Sequence, residues 1–135
     1  MLAVMVNGGC SDRDVVTYPV RGIVRFTDGK LLRDGTVEFE IMGREKPITA
    51  TGEIGPDGSF VLGTYESNDG AVAGKHRAVV IADYEIGTGY ERPWLIPAAQ
   101  LHPKYRDFQS SGLEFLVKPQ DNDIIVEVEY APTKK

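Results

Sequence analysis

The stretch Gly52-Glu53-Ile54-Gly55-Pro56-Asp57-Gly58-Ser59-Phe60-Val61-Leu62-Gly63, continuing from Thr64 to Ala82 as TYESNDGAVAGKHRAVVIA, decides the fold class. Gly55 to Gly58 is a tight turn: proline presets φ at its first corner, Asp57 can bond its own backbone, and glycine accepts positive φ. After it, Phe60 and Leu62 face one way and Val61 and Gly63 the other, the period of a strand. The run Ala78-Val79-Val80-Ile81-Ala82 is short and β-branched, which fits a buried central strand. Strand, turn, strand, glycine-rich connection and apolar strand make a β framework.

Outward from this stretch the pattern stays β. Val15 to Phe26 reads as strand, with Val20, Gly22, Val24 and Phe26 on one face and Arg21, Ile23 and Arg25 on the other; Pro19 sets its start at an edge or a bend. Thr27 to Lys30 is a hairpin-type turn, and Arg33-Asp34-Gly35 is another. Thr36 to Met42 alternates Val37, Phe39 and Ile41 with Thr36, Glu38 and Glu40, the mark of a sheet with one wet face. Ile48 to Ile54 resumes the strand pattern. Arg77 to Tyr84, Gly112 to Lys118 and Ile124 to Tyr130 complete it, the last two joined by Pro119 to Asp123. Between them, Glu85 to Phe108 lacks strand periodicity and is broken by Gly87, Gly89, Pro93 and Pro97. Seven short strands with frequent turns imply an all-β, seven-stranded antiparallel Greek-key sandwich with one long irregular loop. One helical turn is expected at Pro97 to Leu101, and Ser110-Ser111-Gly112 is expected to open a strand.

With 135 residues, 41% hydrophobic and 26% charged, the chain has the composition of one globular domain. Its 15 basic and 20 acidic residues leave a net charge of −5, so no nucleic-acid partner is expected, since phosphate binding needs a concentrated basic face. A single cysteine permits no internal disulfide and no zinc spacing. No apolar run approaches the ~20 residues of a membrane-spanning helix.

The N-terminus, MLAVMVNGGCSDRD, places six apolar residues and a small-residue segment before Cys10. This resembles the end of a bacterial lipoprotein signal peptide, in which the cysteine is lipidated, although the apolar segment is short, Asn7 is atypical and no basic region precedes it. The expected organisation is a truncated signal or flexible segment over 1–14, a β-sandwich domain over 15–130 and a tail over 131–135. The partner so implied is a membrane, reached through a lipid anchor on Cys10, and the location extracytoplasmic. The competing reading is an incidental cysteine on a loose end.

Tyr18-Pro19-Val20-Arg21-Gly22-Ile23-Val24, then Asp28-Gly29-Lys30-Leu31-Leu32 and Gly35-Thr36-Val37-Glu38-Phe39, resemble the opening of carboxypeptidase regulatory-like domains. Pro56 to Phe60 and Asp69 to Val80 resemble that family's later turn and strand. Ile96-Pro97, Pro103 to Asp107 and Ser110 to Leu113 are similar to the version in small planctomycete-type secreted lipoproteins. The resemblance covers roughly Tyr18 to Tyr130. It implies a transthyretin-like (prealbumin-like) sandwich and an accessory role in the cell envelope, and it supplies no catalytic residue.

The residues themselves offer little chemistry. His76 and His102 share no metal-ligand spacing, and read as a strand and a loop residue. Tyr84, Tyr90 and Tyr105 lie near His102 in sequence, but the paired histidines of tyrosine- and histidine-ligated iron dioxygenases on related sandwiches are missing. Asp69 and Asp121-Asn122-Asp123 carry oxygen donors suited to calcium, yet Asx-rich turns have that composition without a metal. No cofactor is expected. The candidate recognition surface is the aromatic loop, with Tyr84, Tyr90, Trp94, Tyr105 and Phe108, because Tyr and Trp give large contact area at low entropic cost; the plainer reading makes it a cap on the core. The expected function is a non-catalytic binding or structural module for a protein or glycan partner. The alternatives are a small-molecule or metal-dependent enzyme on this fold and a carbohydrate-binding module.

Overall fold

A computed structural model describes residues 15–82 and 101–132. It is an all-β architecture of nine strands among the described residues: β1 Thr17–Tyr18, β2 Val20–Phe26, β3 Thr36–Ile41, β4 Thr49–Glu53, β5 Ser59–Val61, β6 Ala71–Val72, β7 Gly74–Ile81, β8 Leu113–Val117 and β9 Asn122–Val128. They form a four-stranded sheet in the order β4-β3-β7-β8, a three-stranded sheet in the order β5-β2-β9 and a β1-β6 pair. The alternation read from the sequence is the burial pattern observed. Val37, Phe39 and Ile41 are buried while Thr36, Glu38 and Glu40 are half-exposed, and Phe60 and Leu62 point inward while Val61 is exposed.

Two expectations about the strands are corrected. The strands are not all antiparallel, because β9 lies parallel to β2 from Val20↔Asn122 to Phe26↔Val128. The chain reaches β9 from β8, which belongs to the other sheet, so the two neighbours are not joined by a hairpin and need not run opposite ways. The long first strand is also two, since Pro19 has no N–H to continue a ladder and β1 turns aside to pair with β6.

Both larger sheets feed one core. Val24, Phe26, Phe60, Val126 and Val128 from the three-stranded sheet join Val37, Phe39, Ala78, Val80 and Val117 from the four-stranded sheet in a single buried cluster. One end is closed by Leu101, which bridges to Tyr130, and by Tyr105 on a one-turn 3-10 helix, Pro103–Arg106. Pro103 suits the first helical position, and His102 Nδ1 accepts the Lys104 N–H at 3.1 Å as a cap. The Tyr130 ring stacks on Phe26 at 4.1 Å, and its hydroxyl donates to Asp28.

A second turn of helix, α1 (Phe108–Ser111), ends at Gly112 with φ +72°. Ser110 and Ser111 therefore finish a helix and do not open a strand. The buried Ser111 hydroxyl donates to the Ala78 carbonyl of β7, which anchors α1 to the sheet. The helical turn expected at Pro97 to Leu101 lies, apart from Leu101, outside the described residues.

Candidate functional site

The two sheets meet along the outer edges of β4 and β5, and that junction forms a groove of about 840 Å³. The β3–β4 ladder has Gly35·Ile54 and Ile41·Ile48 as hydrogen-bonded pairs, so the N–H and C=O groups of Thr49, Thr51 and Glu53 point away from β3. Thr51 spends its pair on Gly63, with both bonds at 2.9 Å. Gly52 allows the approach: a Cβ there would stand 2.4 Å from the Val61 carbonyl oxygen. Beyond that contact the edges diverge into the groove.

Its walls are polar. Thr36, Thr51 and Glu53 come from the four-stranded sheet, Ser59 and Val61 from β5, and residues 64–68 from the turn that follows. That turn is held by Asp69, whose carboxylate accepts the N–H groups of Thr64, Tyr65 and Glu66 at 2.6, 3.1 and 3.1 Å. Asn68 takes a left-handed conformation, φ +67°, to make it. The Asp69 oxygens read as calcium donors thus serve as a turn clamp, and Asn122 is spent in the same way on backbone groups. Among the described residues the Glu53 and Glu66 carboxylates have no cationic partner, and no Lys or Arg lines the groove.

The residues singled out from the sequence are not brought together. Cys10, Tyr84, Tyr90 and Trp94 lie outside the described residues. Tyr105 is 3% exposed and belongs to the core; its hydroxyl accepts the Glu129 N–H at 2.9 Å, so its ring is a cap and not a recognition surface. Phe108 is half-buried under the Arg77 guanidinium, 5.1 Å from its centroid, and Arg77 is held by Glu40 at 2.8 Å. Beside them burial, then the Glu40 charge, raises the Glu38 carboxyl above its ordinary value.

His76 is 1% exposed on the inner face of β7, next to Phe39. Its Nε2 donates to the Val72 carbonyl at 2.8 Å, leaving Nδ1 buried without a partner. Burial pushes its pKa below 6.5, against a smaller upward pull from Val72. The unfolded chain therefore takes up a proton at a pH where the folded one does not. His76 costs nothing above about pH 6.5, and below it stability falls, at a limiting slope of about 1.4 kcal/mol per pH unit. Urea unfolding at pH 7.5, 6.5 and 5.5 should show that decline shrinking in a His76→Gln chain, whose amide stays neutral and keeps a donor for Val72. Equal slopes in the two chains would remove His76 as the cause.

Among the described residues no group of three or more His, Cys, Asp and Glu is placed to hold a metal ion, and no helix is long and apolar enough to cross a membrane. Compared with family models, with curated proteins and with solved structures, the chain matches none.

Proposed function

We propose that this chain is a non-catalytic binding module of the cell envelope, built as a transthyretin-like Greek-key sandwich and tethered through a lipidated Cys10, with the β4–β5 groove as its recognition surface. The observation that carries the reading is the uncommitted polar wall of the groove. Glu53 and Glu66 carry charge without a cation beside them, with the hydroxyls of Thr36, Thr51 and Ser67 nearby. Carboxylates accept charge-assisted hydrogen bonds from hydroxyls, and both of these are exposed to an incoming ligand. A wall of this kind suits a neutral, hydroxyl-rich polymer and disfavours an anionic one. The sandwich and the envelope location rest on the single core shared by the two sheets and on the motifs from Tyr18 to Tyr130. The enzymatic alternative draws nothing from the histidines, one buried against Val72 and the other capping a helical turn.

Co-sedimentation tests the groove. A full-length Cys10→Ser chain, free of any anchor, should pellet with at least one of the neutral insoluble polymers chitin and cellulose. Thr51→Trp, which fills the groove from an exposed position, should cut that binding about tenfold, a loss of about 1.4 kcal/mol. No pelleting with any polymer, or equal pelleting by the filled variant, would defeat the reading. Intact-mass measurement of the native protein tests the tether separately: an unmodified cysteine on an intact N-terminus removes it.

A further inference from the structure

We propose that the free edge of β9 is a strand-addition site that takes an extended basic segment, with Lys or Arg at two positions four apart and an apolar residue midway between them. Among the described residues β9 is the outermost strand of its sheet. Asn122 N–H donates to the Pro19 carbonyl at 2.9 Å, which sets the phase of the parallel ladder. Asn122, Ile124, Val126 and Val128 bond to β2, and the N–H and C=O groups of Asp123, Ile125 and Glu127 point the other way. Those groups have no partner among the described residues. The opposite flank is different, because Thr51 and Gly63 stitch β4 to β5 there. One flank is closed and the other offers a seven-residue edge, about 23 Å of template at ~3.3 Å per residue.

Side chains specify the occupant. Ile125 is 51% exposed on the outer face, in register with Ile23. Asp123 and Glu127 flank it and exposed Asp121 continues the alternation, while Glu129 ends the open edge, its N–H donating to the Tyr105 hydroxyl and its carbonyl accepting the His102 N–H. Arg21 engages one oxygen of Asp123 at 2.8 Å and Arg25 one of Glu127 at 3.5 Å, from the β2 side only. A second copy of this chain is a poor occupant. Antiparallel pairing centred on Ile125 sets Asp123 opposite Glu127 twice, and a shift of two toward the start of β9 sets Asp121 opposite Glu127. Like charges directly opposite destabilise a ladder, whereas opposite charges and apolar pairs support it. A basic segment with a central apolar residue satisfies the edge amides and all three side chains together.

The test is an amide NMR titration of the full-length chain with the peptide acetyl-TKVVVKT-amide. The expected result is shifts at Asp123, Ile125 and Glu127, at least tenfold weaker binding of acetyl-TEVVVET-amide, and loss of binding when the peptide's edge-facing amides are N-methylated. Ile125→Pro removes a donor that β2 does not use and should abolish binding with the far-UV spectrum retained. Should that variant not fold, the Asp123→Lys, Glu127→Lys chain decides, since it should prefer the acidic peptide. The proposal is overturned if the basic peptide leaves the β9 amides unmoved, if both peptides bind equally, if shifts fall on Thr51 to Asn68 instead, or if the chain alone dimerises through β9.

Discussion

A Gly70→Ala chain is expected to lose at least about 4 kcal/mol of stability, a large share of the ~5–15 kcal/mol available to a domain of this size. Gly70 sits between the Asp69-clamped turn and β6 with φ +97°, and its N–H donates to the Leu62 carbonyl at 2.8 Å while its own carbonyl accepts from the Thr64 hydroxyl at 2.7 Å. Both fixed bonds and a glycine-favouring φ leave it little room to move. A Cβ would stand 1.9 Å from the Tyr18 carbonyl oxygen and 2.4 Å from its carbon. Those are backbone atoms, so no rotamer change relieves them; β1 must shift, and with it the pairing of Tyr18 with Ala71. Conformational strain alone costs about 1–2 kcal/mol at such a residue, and the displacement supplies the rest.

Gly43→Ala is the control that separates the two contributions. Gly43 has a similar φ of +83°, but a Cβ added there would meet nothing within 4 Å, so its alanine variant should cost only the strain, about 1–2 kcal/mol. Urea unfolding of both variants measures the difference. Equal losses would mean that the close approach to Tyr18 contributes nothing. The same reasoning ties the site to the fold, because the turn that Gly70 terminates carries Thr64 to Asn68, one wall of the groove.

Most of the strand framework was legible because its signals are local. Alternation over Val37, Phe39 and Ile41 or over Phe60 and Leu62 is written in consecutive residues, and so is the turn chemistry of Pro56-Asp57-Gly58. Asp57 makes that turn as its residue type suggests, with Oδ1 accepting from the Ser59 N–H and hydroxyl. The parallel partnership of β9 with β2 was not legible. It joins residues about a hundred positions apart, and periodicity carries no information on which strand lies beside which or in what direction. Tyr105 illustrates a different gap: an aromatic residue in an irregular segment has the same local signature whether it caps a core or greets a ligand. Here the Glu129 N–H and the open end of the core decide for the cap.

The groove was hidden for a related reason. Thr51, Glu53, Thr64 and Glu66 are ordinary wet-face and turn residues, and they line one groove only because two sheet edges converge on them. The one local sign was glycine within strand patterns, Gly52 and Gly63, which marks a close approach of another backbone. Both glycines sit at that convergence, Gly52 beneath the Val61 carbonyl and Gly63 in the bridge to Thr51. Both candidate surfaces thus lie at strand edges: one flank where the edges are stitched and splay into a polar groove, and one where, among the described residues, β9 stays open.

Replacing Asn122 tests the clamp at the start of β9, and the expected loss for Asn122→Ala is about 2–3 kcal/mol. The sequence Asp121-Asn122-Asp123 has turn composition, yet Asn122 is 8% exposed and begins β9. Its Oδ1 accepts the Lys118 N–H at 2.9 Å, and its Nδ2 is ringed by the carbonyls of Pro19, Lys118 and Gln120 at 3.1, 3.0 and 2.8 Å. That ring fixes which end of the amide is nitrogen, because the reverse would press an oxygen against three carbonyls. Alanine leaves the Lys118 N–H and the Gln120 carbonyl without partners, while the Pro19 and Lys118 carbonyls keep the N–H groups of residue 122 and Gln120; each unsatisfied buried group costs about 1–3 kcal/mol, and exposure of Lys118 and Gln120 lets water recover some of it. Asn122→Asp should be worse than alanine at neutral pH, since a carboxylate keeps the bond to Lys118 but repels the three carbonyl oxygens. Those carbonyls hold its proton on in the folded state, so its deficit should narrow as pH falls through the carboxyl range, where the protonated acid regains a donor. Urea unfolding of both variants at pH 7 and pH 4.5 reads the ranking and the narrowing. An aspartate variant as stable as wild type at pH 7 would mean that this side chain does not clamp the β8–β9 turn to Pro19.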